Sequence, residues 1–198
     1  LIVFFSFFIL LIEIFLTSFL EYNSIVSNEI KSLDKEGIQI GLIFEHSNSS
    51  LEILTSILLI LSSDHLMTCD ESFNTGLQNA FKLANEGRIV TFGIKATSPN
   101  TGFGYIQSTE PLNFKSAKGC EIKRFIEKPN LHLAKEFLLD ERYSWNSGMF
   151  VFKASTIVAE MEKFHPEINS CCKKSLESIK EDLDFKRIDE KIFSDCPS

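Results

Sequence analysis

The stretch from Leu58 to Ile94 constrains the fold of this chain more than any other. Leu58-Leu-Ile-Leu61 is an unbroken apolar run, the pattern of a strand buried on both faces of a sheet. It gives way at once to the polar Ser62-Ser-Asp-His65. Between Asp70 and Glu86, the residues Phe73, Leu77, Ala80, Phe81 and Ala84 recur at helical spacing, with Asp70 as N-cap and Gly87 as the stop. Arg88 to Ile94 then reads as a second strand. Strand, helix and strand joined by short links predict a βαβ crossover. The fold class is therefore α/β, with a mainly parallel mixed sheet and helices on its faces.

The pattern continues towards the C-terminus. Pro99 to Gly104 is a turn-rich loop, Glu121 to Ile126 alternates as a strand does, and Leu131 to Glu141 has helical spacing. Met149 to Phe152 is a strand and Ser155 to Phe164 a helix, with Ile157, Val158 and Met161 on its apolar side. Pro166 can open one further helix, because a proline in the first turn loses no helical hydrogen bond. Upstream, Ser24 to Gly37 predicts a helix and Ile38 to Phe44 a strand.

Residues 1–20 do not fit this scheme. Sixteen are apolar, six of them Phe, and only Ser6, Glu13, Thr17 and Ser18 interrupt the run. The length suits a membrane span, but no basic flank is present, and Glu13 would cost about 2.5–3.5 kcal/mol near the bilayer centre. No small-residue cleavage site of a secretory signal follows. The expectation is a segment foreign to the domain, which would then occupy residues 21–198. A membrane-anchored protein is the alternative.

The net charge of −7 argues against a general nucleic-acid surface, which needs clustered Lys and Arg. A small phosphorylated ligand needs only one or two local cations and is compatible with it. The cysteines at 69, 120, 171, 172 and 196 show neither a C-x-x-C nor a Cys/His ligand spacing, and reduced thiols in a cytoplasmic protein are expected.

Four places could carry chemistry. Asp64 follows a predicted central strand, where a carboxylate can hold Mg²⁺ against a substrate phosphate or can simply cap the next element. Thr101-Gly-Phe-Gly-Tyr105 could bring backbone close to a ligand through Gly104, or could form only a tight turn. Glu127-Lys128-Pro129 ends a strand. Its carboxylate could accept from neighbouring sugar hydroxyls and its ammonium could offset phosphate charge, or the two could form a solvated ion pair. In Trp145-Asn-Ser-Gly-Met-Phe150, the Asn146 amide could donate to and accept from a sugar hydroxyl, or Asn-Ser-Gly could be a plain turn.

Taken in order, Ser62-Ser-Asp-His65, Val90-Thr-Phe-Gly-Ile-Lys-Ala-Thr97, Ser98-Pro-Asn-Thr-Gly-Phe-Gly-Tyr-Ile106, Phe125-Ile-Glu-Lys-Pro129 and Trp145-Asn-Ser-Gly-Met-Phe-Val-Phe152 resemble the bacterial mannose-1-phosphate guanylyltransferases. The resemblance covers residues 58–198, with a weaker match at 24–45. It implies a Rossmann-like nucleotidyltransferase domain that joins mannose 1-phosphate to GTP, with release of pyrophosphate. It also implies Asp64 as a Mg²⁺ ligand, Gly104 approaching the sugar by its backbone, and Glu127 on sugar hydroxyls. Lys128 would neutralise the sugar phosphate and Asn146 would orient the sugar, so that Asp64 and Lys128 take the catalytic roles.

The chain also departs from that pattern. No G-x-G-T-R-L run occurs, and His46 to Ile57 differs from the family's asparagine- and alanine-rich stretch. A second metal-binding aspartate and the isomerase domain of many relatives are not reached. The expectation is therefore a domain truncated at both ends and inactive by itself. The same chemistry on another sugar 1-phosphate and a non-catalytic sugar-phosphate-binding remnant stay open, as does assembly into a homo-oligomer.

Overall fold

The computed structural model describes residues 31–32, 38–41, 56–62, 71–116, 118–177, 180–182 and 185–197. Strands β1 (Lys31–Ser32), β2 (Ile38–Gly41) and β3 (Ile57–Ser62) come first, followed by helix α1 (Glu71–Asn85). Then come β4 (Val90–Ile94), β5 (Tyr105–Ser108), β6 (Ile122–Ile126), α2 (Leu131–Leu138) and β7 (Tyr143–Lys153). Helices α3 (Ala154–Phe164) and α4 (Pro166–Glu177), strands β8 (Lys180–Asp182) and β9 (Phe185–Arg187), and helix α5 (Glu190–Ser194) complete the order.

The described residues fall into two compact units. One comprises residues 58–152 with β1 and β2, and the other residues 56–57 and 153–197. In the first, the sheet runs β1-β2-β3-β7-β5-β6, with β4 also paired to β7. Its core on one face gathers Tyr105, Ala134, Phe137 and Tyr143, with Ala96, Ile126 and Trp145 packed against them. Phe137 and Tyr143 stack with ring centroids 4.2 Å apart, which fixes α2 on the sheet. In the second unit, Met161, Ile168 and Cys172 form a core joined by Ile188, Phe193 and Cys196, and β8 pairs antiparallel with β9.

Helix α1 forms where the apolar spacing predicts it, burying Ala80 and Ala84. Gly87 ends it at φ 83°, so that its N–H reaches the Ala84 carbonyl and the Arg88 N–H reaches Leu83. That left-handed residue satisfies carbonyls the helix would leave bare. Asn130 caps α2 by accepting from the Leu133 N–H at 3.0 Å. The helix stops at Leu138, short of the expected Glu141. There Asp140 takes over, accepting from Arg142 Nη2 at 2.7 Å and from the Arg142 N–H at 3.0 Å.

The expected mainly parallel sheet is corrected. β1 with β2, β2 with β3, β4 with β7, β5 with β6 and β5 with β7 are all antiparallel pairs. The expectation of a mainly parallel sheet rests on a βαβ crossover between β3 and β4, whereas β3 lies between β2 and β7 and β4 pairs antiparallel with β7. β6 and β7 do run the same way with α2 as their crossover, but β5 lies between them, antiparallel to both. Sequence reasoning had no strand at β5. The helix expected over 24–37 is also corrected at Lys31–Ser32, which pair with Ile40 and Gln39. Among the described residues no helix is long and apolar enough to cross a membrane, and Cys120 and Cys171 are free thiols. Residues 1–20 lie outside the described residues.

Candidate functional site

Three strand registers bring distant residues into one row. Gly93 of β4 lies opposite Asn146 of β7. Tyr105 faces Trp145 on one side and Ile126 on the other, so one step back Gly104 sits between Asn146 and Glu127. The Asn146 N–H donates to the Gly104 carbonyl at 2.8 Å. Side chains alternate across a sheet, so the row Gly93, Asn146, Gly104, Glu127 lies on the face opposite the α2 core.

Gly104 leaves a notch in that face. A Cβ placed there would stand 2.9 Å from Glu127 Oε2 and 3.7 Å from Asn146 Cβ. The carboxylate thus occupies the space of the missing side chain, and only glycine leaves it undisturbed. The loop before Gly104 is held on both sides. Asn100 Oδ1 accepts from the Gly102 N–H at 2.8 Å, and Tyr105 donates its hydroxyl to the Asn100 carbonyl at 3.0 Å. Phe103 sets its edge against Trp145 with centroids 5.1 Å apart. At the β6 side, Arg124 donates to Gln107 at 2.8 Å and to the Tyr143 hydroxyl at 2.7 Å, tying the strand that carries Glu127 to β5 and β7.

Asn146 owes its place to a bulge. Thr91 pairs with Phe150 and Gly93 with Asn146, so Ser147, Gly148 and Met149 together oppose the single residue Phe92. Bulges of this kind re-aim side chains next to sites. Gly148 adopts φ 72°, a left-handed conformation that glycine takes without penalty. Asn-Ser-Gly, for which a plain turn is one of two readings open in the sequence, is therefore a bulge inside an 11-residue strand. Sequence reasoning missed Thr91, whose hydroxyl lies 3.1 Å from Asn146 Oδ1. Its signal was a polar residue in the apolar Val90-Thr-Phe-Gly run.

Lys128 follows Glu127 with φ 40°, a left-handed backbone that costs a non-glycine residue about 1–2 kcal/mol. Its Nζ lies 3.7 Å from Glu127 Oε1, with the two side chains 67% and 58% exposed. An ion pair this exposed contributes at most about 1 kcal/mol, so either group can exchange its neighbour for a ligand. The structure thus joins Gly104, Glu127 and Asn146 directly, and Lys128 through Glu127. Asp64 lies outside the described residues, two positions beyond the end of β3. Among the described residues no three or more His, Cys, Asp or Glu gather as a metal site.

A face that offers a carboxylate, an amide and an ammonium around a backbone notch suits a polyhydroxylated, phosphorylated ligand. A model of the family described as Nucleotidyl transferase matches residues 26–191, and the chain belongs to that family. Among individual proteins, it is 37% identical over 142 residues to the mannose-1-phosphate guanylyltransferase of Escherichia coli K12, covering 71% of this chain and 30% of that protein. It is 36% identical over 190 residues to the mannose-1-phosphate guanylyltransferase of Salmonella montevideo, covering 89% of this chain and 40% of that one. The chain thus spans less than half the length of these relatives. A solved structure described as mannose-6-phosphate isomerase from Helicobacter pylori matches with a TM-score of 0.59 at 37% identity, over 70% of this chain and 53% of that one. The fold is that of an α/β nucleotidyltransferase.

Proposed function

We propose that this chain carries the sugar-phosphate half of an enzyme that transfers GMP from GTP to mannose 1-phosphate, giving GDP-mannose and pyrophosphate. The observation that carries the reading is the notch at Gly104, with the Glu127 carboxylate inside it and Asn146 alongside. The likeness to two guanylyltransferases supports the choice of mannose and of GTP.

In the reaction, an oxygen of the sugar phosphate attacks the α-phosphorus of GTP. A new P–O bond forms while the bond to the oxygen bridging to the β-phosphorus breaks, and pyrophosphate departs with that electron pair. Glu127 accepts from adjacent sugar hydroxyls, Lys128 offsets the charge of the sugar phosphate, and Gly104 lets the ring approach the backbone. Their contribution is positioning and charge neutralisation, the larger part of catalysis in phosphoryl and nucleotidyl transfer. Mg²⁺ at Asp64 would neutralise charge on the transferred phosphate; one carboxylate plus substrate phosphates is an ordinary Mg²⁺ environment.

Calorimetric titration of the 198-residue chain tests the reading. Mannose 1-phosphate should bind saturably, mannose without phosphate more weakly, and Glu127→Gln should weaken the sugar phosphate. No saturable binding of mannose 1-phosphate or glucose 1-phosphate would overturn it. Conversion of mannose 6-phosphate to fructose 6-phosphate by the purified chain would instead favour the chemistry named for the Helicobacter pylori protein.

A further inference from the structure

We infer that Thr91 and the Gly148 backbone lock the Asn146 side chain so that it meets the ligand with N–H donors only; the ligand part of this inference rests on the function proposed above. The Gly148 N–H lies 3.2 Å from the Asn146 amide and can only donate, so the amide atom facing it is Oδ1. The nitrogen must then face away. Thr91 Oγ1 stands 3.1 Å from the same Oδ1 and 2.8 Å from the Met149 carbonyl, two acceptors that share its one proton. Oδ1 thus accepts from the Gly148 N–H and shares the Thr91 proton with the Met149 carbonyl, while the NH₂ group makes no hydrogen bond to any described residue.

The flanks of Asn146 keep that group accessible. Gly93 lies beside it on β4 and Gly104 just before β5, so neither neighbour raises a side chain over it. Glu127, one strand beyond Gly104, supplies only acceptors when ionised. The site therefore sorts ligand groups by polarity. Hydroxyls acting as donors go to Glu127, and an oxygen acting as acceptor, from the ring, a hydroxyl or the phosphate, goes to Asn146. Thr91 is a positioning residue here, acting through Asn146 without touching the ligand.

The lock is testable on the full chain by nitrogen-15 NMR of the Asn146 NH₂ group, whose signal is identified by its loss in Asn146→Asp. Thr91→Val keeps the shape and removes the hydroxyl, while Thr91→Ser keeps the hydroxyl. The NH₂ group should be ordered in the parent, loosened in Thr91→Val and ordered again in Thr91→Ser. Affinity for mannose 1-phosphate should fall about two- to tenfold in the valine variant, the effect of one hydrogen bond, and return with serine. A purely structural Thr91 would lower thermal stability in the valine variant and leave the Asn146 signal unchanged, which overturns the inference. A loosened NH₂ group with undiminished sugar-phosphate affinity overturns it as well. If the NH₂ group loosens but the parent binds no sugar phosphate, the lock stands and the proposed function fails.

Discussion

Gly104→Ala adds one methyl group to the notch, and the structure separates its small effect on stability from a large one on binding. The new Cβ would lie 3.7 Å from Asn146 Cβ, an ordinary contact, but 2.9 Å from Glu127 Oε2. That is about half an ångström inside a favourable separation. The Glu127 side chain is 58% exposed, so its carboxylate can swing into water at little cost to the fold. Gly87 and Gly148 have positive φ and Gly104 does not, so alanine fits its backbone. Removing glycine's freedom from the unfolded chain contributes about 0.4–1 kcal/mol of stability. The two effects nearly cancel, and Tm should move by no more than about 4 °C.

Binding should not be spared. A displaced carboxylate loses its hydrogen bonds to the sugar, about 1.5–3 kcal/mol for a charged acceptor, which is roughly a tenfold to hundredfold loss of mannose 1-phosphate affinity. Calorimetry and thermal unfolding of the same preparation read both quantities. The part of the loss that acts through Glu127 should vanish in the Glu127→Gln background, so adding Gly104→Ala there should cost less than it does alone, the remainder being the methyl group's own contact with the ring. Unchanged affinity in Gly104→Ala at unchanged Tm would refute the reasoning, since the carboxylate in the notch would then have no role in binding.

Two further perturbations separate function from folding elsewhere. Lys128→Ala and Lys128→Gly should both lower mannose 1-phosphate affinity roughly tenfold to hundredfold by removing a charged contact; only the glycine variant also relieves the φ of 40°, so in thermal unfolding it should match or exceed the parent and lie above the alanine variant. At the α2–β7 link, the Arg142 guanidinium and N–H hold the Asp140 carboxyl below the ordinary carboxylate range. The group therefore contributes stability above the unfolded value, and the contribution is lost as pH falls from about pH 4 through the lower folded value. Urea unfolding should show Asp140→Asn less stable than the parent at neutral pH, with the gap closing in strong acid; a gap of constant size would show that the charge is not what Asp140 contributes.

Local signals were legible in the sequence where one element carries them alone. Helix α1 announces itself by its own apolar spacing and by Gly87, and the motifs bearing Gly104, Glu127 and Asn146 are continuous in the chain. β5 could not be read in this way. Its four residues are all buried, and two of them, Gln107 and Ser108, are polar, so no alternation marks a strand. What buries them is pairing with β6 and β7, partners that lie 14 to 40 positions further along the chain in the observed registers. Missing β5 also left the sheet direction wrong, because that strand separates the two parallel ones. At Asn146 the residue was legible but its polarity was not, since Oδ1 is engaged by Thr91, 55 positions away.

The bulge in β7 explains why so few residues define this face. Three residues opposing one break the regular ladder between β4 and β7, and the freed backbone groups need other partners. Side chains of the same segment supply them. Asn146 accepts from Gly148, Ser147 Oγ accepts from the Met149 N–H at 3.1 Å, and the Thr91 hydroxyl reaches the Met149 carbonyl at 2.8 Å. The groups that repair the sheet are thus the groups that orient Asn146. A change here cannot be purely structural or purely functional, and Thr91→Val should register in both stability and ligand affinity. Gly104 and Glu127 lie away from the bulge, one step beyond the Tyr105–Ile126 pair, and the Glu127 side chain is 58% exposed. Substitutions there can remove binding while leaving the fold unaffected, which is why the two halves of the same row should respond differently to mutation.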